Sequence, residues 1–152
     1  MLRLLKKMNK FYITGTRRGL GKALEEKYGN VNNLEDCDIF INCKHDGFDQ
    51  VRLLYKAAHQ GKTIINIGSL SSDYTFRGLY AVEKKALREA NHDLFTQGVK
   101  TTCINFGYIN TERSASKNVN KMPIDYCISV IDWIIKQPYN VKELTVAPKN
   151  IL

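Results

Sequence analysis

The chain predicts an α/β fold, a doubly wound parallel sheet of about five strands with helices on both faces, and three observations carry that prediction. Five short apolar, β-branched runs recur along the 152 residues, and most lack the strict alternation of a sheet with one wet face. Segments with helical spacing separate them. A glycine-rich turn follows the first run directly. Strand and helix alternating at this spacing imply parallel pairing with right-handed crossovers.

The first run, "KFYITG" (10–15), is a strand that leads through "ITGTRRGLGKAL" into a helix over 19–28, stopped by Gly29. "DIFIN" (38–42) forms the second strand, followed by a helix over 48–60 that ends at Gly61. "KTIINIGS" (62–69) is the third strand. The helix after it, over 77–97, carries an apolar stripe of Leu79, Val82, Ala86, Ala90 and Leu94 and stops at Gly98. "KTTCINFG" (100–107) is the fourth strand. Pro123 suits the first turn of the next helix, 123–137, whose stripe is Ile124, Ile128, Ile131 and Ile135. "KELTVAP" (142–148) is the fifth strand.

Composition bounds the function. Residues 1–152 fit a single domain, and 43% hydrophobic with 25% charged residues lies in the globular range. No apolar run approaches the length of a membrane span. "MLRLLKKMNK" lacks a continuous apolar core and a small-residue cleavage site, so it reads as a cytoplasmic start. Cys37, Cys43, Cys103 and Cys127 show no short paired spacing, which predicts reduced, mostly buried thiols and no metal. The net charge of +8 suits an anionic partner. Its charges are scattered and no recognition motif accompanies them, so a nucleic-acid partner is unsupported, and a phosphorylated small molecule would serve the same electrostatics.

Gly15, Gly19 and Gly21 have the spacing Gly-x-x-x-Gly-x-Gly, a variant of the dinucleotide turn. Glycines there permit a tight turn and close approach of backbone to a pyrophosphate, and the helix N-terminus faces the anion. Thr16 and Leu20 belong to the same turn, and Arg17 and Arg18 within it could hold a 2′-phosphate in bidentate fashion, which points to NADP(H) ahead of NAD(H). Tyr80 and Lys84 lie one helical turn apart. With 8 tyrosines and 16 lysines in the chain, about one such pair is expected by chance, so its meaning rests on its surroundings.

Those surroundings resemble the short-chain dehydrogenase/reductase family. The match is ordered along most of the chain: "TGTRRGLG" at 14–21, "DIFINC" at 38–43, "INIGS" at 65–69, "YAVEK" at 80–84 and "NFGYINT" at 105–111. The resemblance implies a Rossmann-like sheet and an oxidoreductase that reduces a carbonyl or oxidises an alcohol. It places Ser69, Tyr80 and Lys84 as the catalytic set, with Lys84 also binding the nicotinamide ribose, and an ammonium beside the phenol is expected to lower the Tyr80 pKa. It implies cofactor contacts from the turn 15–21, Asn42, Tyr80, Lys84, Ile109 and Thr111, with Arg18 marking NADP preference. It also implies a homodimer or homotetramer paired through the helix of Tyr80 and the helix before it.

The chain departs from the family in several places. Cys43, Lys44 and His45 replace the end of the Asn-Asn-Ala-Gly strand, and Phe106 stands where a proline is usual. Only 16 residues separate Gly21 from Asp38, too few for the usual second strand, its helix and a third strand. Asn30-Val31 loosely resembles the pair that touches adenine, and Glu35 reads as a loop residue. Neither Asp49 nor Gln50 matches the family's catalytic asparagine. His45, His59 and His92 read as surface or structural residues. A non-catalytic NADP(H)-binding sensor or scaffold is therefore the alternative to the enzyme.

Overall fold

The structure is a computed structural model and describes residues 8–150, so most of "MLRLLKKMNK" lies outside it. Its elements follow in strict alternation: β1 (Phe11–Ile13), α1 (Gly19–Tyr28), β2 (Ile39–Asn42), α2 (Asp49–His59), β3 (Thr63–Ser69), α3 (Leu79–Thr96), β4 (Thr101–Phe106), α4 (Ile124–Lys136) and β5 (Glu143–Val146). All strands are parallel, in the order β1-β2-β3-β4-β5.

Alternation along the strands divides the core in two. Phe11, Ile13, Ile39, Ile41, Ile65 and Ile67 face α1 and α4, meeting Leu20, Leu24, Cys127 and Ile131. Phe40 and Ile64 face the other way, onto Leu54 of α2 and Leu87 and Leu94 of α3. The helices therefore cover both faces, as expected. The expected right-handed crossovers do not all occur. With strands added in one direction, crossovers of a single hand would put every helix on one face. The α1 and α4 connections thus have the opposite hand to those through α2 and α3.

The path after α1 explains how. The segment after Gly29 wraps the outer edge of β1: Val31 N–H donates to the Phe11 carbonyl at 2.8 Å. The Asn30 side chain accepts from Ile13 N–H at 2.9 Å and donates to the Ile13 carbonyl at 3.1 Å. One asparagine thus occupies the backbone groups that a further strand would have paired, and the edge is blunted. A 3-10 turn, Leu34–Asp36, then buries Leu34 on the α2 and α3 face before β2 begins.

The α3 stripe is also phased differently from its prediction. Leu79 and Val82 are exposed, and the inward residues of the first turns are Ala81, Glu83, Lys84 and Leu87. An apolar count misplaces this face because the groups turned inward include an acid and a lysine. The cysteines are all free thiols, with Cys37, Cys103 and Cys127 buried. Among the described residues no helix is long and apolar enough to cross a membrane.

Candidate active site

The glycine turn sits at the C-terminal end of β1. Gly15 has φ of 73°, a left-handed value that suits glycine, and a Cβ there would lie 3.1 Å from the Lys44 Cα. A Cβ on Gly21 would lie 2.0 Å from the Gly15 carbonyl oxygen, so only glycine lets α1 start against the turn. The Thr14 hydroxyl accepts from the N–H groups of Cys43 and Lys44 at 3.0 and 3.1 Å, which ties the end of β1 to the end of β2. No side chain caps the N-terminus of α1. Beside the turn opens a cleft of about 750 Å³, lined by residues including Gly15, Thr16, Asn30, Val31, Lys44 and Arg52.

Across the same sheet edge, β3 ends at Ser69 and α3 carries Tyr80 and Lys84. The Ser69 hydroxyl exchanges a 2.6 Å hydrogen bond with the Ser71 hydroxyl and accepts the Ser71 N–H at 3.1 Å. Lys84 is 3% exposed, yet its ammonium donates to the Gln50 side-chain carbonyl at 2.9 Å and to the Ile67 carbonyl at 3.0 Å. Gln50 is itself fixed: its amide donates to the carbonyls of Asn42 and Ile67 at 2.8 and 3.1 Å. Asn42 returns a bond to the Gln50 carbonyl at 2.8 Å and reaches Asn66 at 3.0 Å. Lys84 Nζ lies 5.7 Å from the centre of the Tyr80 ring.

The electrostatics follow from burial. Desolvation holds Lys84 down at about 8, only partly opposed by nearby Cys43 and Cys103. Burial also raises the Tyr80 phenol above its ordinary value, while the Arg113 guanidinium and a hydrogen bond with Ser69 pull it down. The expectation that Lys84 supplies the charge that lowers Tyr80 is thus altered. Arg113, with its guanidinium carbon 5.6 Å from the ring centre, is the cation that acts on the phenol.

Most expected residues meet at this edge. Thr111 approaches the turn, its methyl 3.6 Å from where a Gly19 Cβ would be. Ile109 bridges to Met122 and packs against the core beside it. Leu20 is buried in that core, so the turn can be served only by its backbone. Arg17 and Arg18 are exposed and do not line the cleft. Asn42 is a correction: expected at the cofactor, it is fully buried and its bonds go to Gln50 and Asn66, a scaffold role. Glu35 is an exposed turn residue bonded to Gln60, as read from its context.

Three residues at the site were missed in the sequence: Arg113, Gln50 and His45. Gln50 does not match the expected asparagine, yet an uncharged polar residue in the first turn of a helix aimed at the sheet edge is a usable signal. The sequence reads His45 as surface or structural, yet its ring stands 4.6 Å from that of Tyr80, edge to face, and its Nε2 lies 3.4 Å from the buried Glu83 carboxylate. Burial and the charge of Lys84 lower its pKa, so it is neutral near pH 7. Its position, where the related strand ends in glycine, could have marked it.

No family model matches the chain, and no curated protein does. Solved structures do. A short-chain dehydrogenase from Burkholderia cenocepacia in complex with NADP is 14% identical, with 91% of this chain and 88% of that one covered at a TM-score of 0.69. A 3-oxoacyl-[acyl-carrier protein] reductase from Brucella melitensis is 14% identical over 93% and 90% at 0.68. The 3-alpha-hydroxysteroid dehydrogenase from a Pseudomonas species, complexed with NADH, is 12% identical over 90% and 94% at 0.62. At such identities the likeness shows the fold: the chain folds as short-chain dehydrogenases/reductases do.

Proposed function

We propose that the protein is an oxidoreductase of the short-chain dehydrogenase/reductase type, transferring a hydride between a nicotinamide dinucleotide and a carbonyl or alcohol. The observation that carries the reading is the convergence of Ser69, Tyr80 and a buried Lys84 on the sheet edge that also holds the glycine turn. Open α/β sheets bind ligands at that edge. The NADP and NADH bound to similar folds support the cofactor class.

The residues present fit such a cofactor. The Gly15 and Gly21 backbones leave no room for side chains at the turn, and the uncapped N-terminus of α1 suits a pyrophosphate. Thr16, Asn30 and Val31 line the cleft where the adenosine would lie. Arg17 and Arg18 beside the turn, with Lys44 and Arg52 on the cleft wall, favour NADP(H) over NAD(H). When bound, the nicotinamide supplies or accepts the hydride.

The chain supplies the proton and the orientation. Tyr80, protonated at neutral pH, donates its proton to the carbonyl oxygen as charge develops there. The Ser69 hydroxyl donates a hydrogen bond to the same oxygen, a term usually large because the dipole is already in place. Gln50 and the Ile67 carbonyl hold the Lys84 ammonium 5.7 Å from the centre of the Tyr80 ring, to bind the nicotinamide ribose, while Arg113 is the charge that lowers the phenol. NADPH oxidation with a panel of aldehydes and ketones tests the reading. Tyr80→Phe should lower turnover roughly a hundred- to ten-thousand-fold; equal activity in that variant removes the assigned role.

A second reading, a dinucleotide-binding protein without turnover, is favoured by the raised Tyr80 phenol and by a Lys84 engaged with neutral carbonyls. NADPH binding with no turnover of any carbonyl would select it. The exposed Phe48, Tyr55, Leu79 and Val82 on and beside α2 and α3 support a homodimer or homotetramer through those helices. A monomeric mass in light scattering at micromolar concentration would contradict that assembly.

A further inference from the structure

We propose that the carbonyl compound taken by this site is itself an anion, an oxo acid, and that Arg113 receives its carboxylate. The inference rests on the oxidoreductase reading and adds a substrate class to it.

The turn that carries Arg113 is held in place, and Arg113 itself is exposed. In the 3-10 turn Glu112–Ser114, the Ser114 hydroxyl donates to the Ile109 carbonyl at 2.5 Å and accepts the Thr111 N–H at 3.2 Å. Thr111 packs toward Gly19, so the turn sits between the dinucleotide loop and Tyr80. From there the guanidinium lies over the Tyr80 ring, its carbon 5.6 Å from the ring centre. A guanidinium stacked on an aromatic face loses little freedom on binding a carboxylate, and its planar fork fits two oxygens.

No carboxylate of the described residues neutralises it. Among the described residues Arg113 has no ion pair, whereas Arg52 pairs with Asp49 and Arg88 with Asp73 and Glu143. Glu83 is buried against His45, and Glu112, the neighbour on the same turn, is exposed. The charge of Arg113 reaches Tyr80, His45 and Lys84 alike. An unpaired guanidinium over the proton donor, on a chain of net charge +8, would draw anions toward it.

The test compares each acid with its ester. NADPH-linked reduction of acetoacetate and methyl acetoacetate, and of pyruvate and methyl pyruvate, is measured for the wild type, Arg113→Gln and Arg113→Lys. The wild type should favour the acid of at least one pair by tenfold or more in kcat/KM. Arg113→Gln should reduce that acid-to-ester ratio at least tenfold, and Arg113→Lys should restore part of it. Equal use of acid and ester by the wild type overturns the proposal and leaves the oxidoreductase reading intact. So does a variant that weakens NADPH binding without changing the ratio, since Arg113 would then serve the cofactor. Oxamate binding by calorimetry, with and without NADP, needs no turnover. Binding lost in Arg113→Gln with no turnover of any carbonyl keeps the anion site and removes the oxidoreductase. Absence of both removes both.

Discussion

At the β3 and α3 end of the sheet edge, the polar groups are braced by partners: Lys84 by two carbonyls, Gln50 by four hydrogen bonds to three neighbours, Ser69 by Ser71. At the β1 end, a three-residue strand forms the edge of the sheet, and an asparagine side chain with one further backbone bond stands in for its missing neighbour. The first end looks specified for geometry and the second for minimum length. Chemistry that depends on fractions of an ångström needs a supported set of groups. Holding a dinucleotide needs only a turn, a helix start and a wall, which a shortened sheet can still supply.

Changes at the braced end should cost most. Gln50→Ala removes the Lys84 acceptor and the side-chain bonds to Asn42 and Ile67. It should lower kcat about ten- to a hundredfold, as loss of a supporting contact does elsewhere, with the dissociation constant for NADPH nearly unchanged. A fall in binding with kcat intact would reverse the contrast between the two ends.

Smaller, and at the same end, is the pH response. Lys84 is lowered to about 8 by burial, so its ammonium is present below that value and lost above it. The kcat/KM for carbonyl reduction should be level below pH 8 and fall about tenfold per unit above. A profile flat to pH 10 would show that the ammonium is not needed.

At the β1 edge the effect is on stability. Asn30→Ala deletes two hydrogen bonds to Ile13 and should cost about 1–3 kcal/mol, read as a lower midpoint in urea. If stability were unchanged, the edge would not depend on its asparagine cap.

Much of the fold was legible because buried parallel strands read as unbroken apolar runs, and glycines end the first three helices at Gly29, Gly61 and Gly98. The glycine turn and the Ser69, Tyr80 and Lys84 register were legible because each spacing has one mechanical meaning. The crossover hands were not, since nothing in a pattern of alternation records that the chain wraps β1 by way of Asn30. The inward face of α3 was misphased because Glu83 and Lys84 are turned inward toward the site, and hydrophobicity treats both as outward. Asn42, Gln50 and His45 escaped for one shared reason. Their roles depend on which element packs beside them, which their neighbours in sequence do not state.

The central claim is that the shortened β1 end still holds a dinucleotide beside the braced catalytic end. A thermal-shift comparison of the full chain with NADPH, with NADH and without ligand tests it most directly. A ligand at 100 times its dissociation constant adds about 2.7 kcal/mol, or about 5 to 10 °C for a domain of this size. The account predicts a rise of that order with NADPH and a smaller one with NADH. No shift with either nucleotide would contradict it.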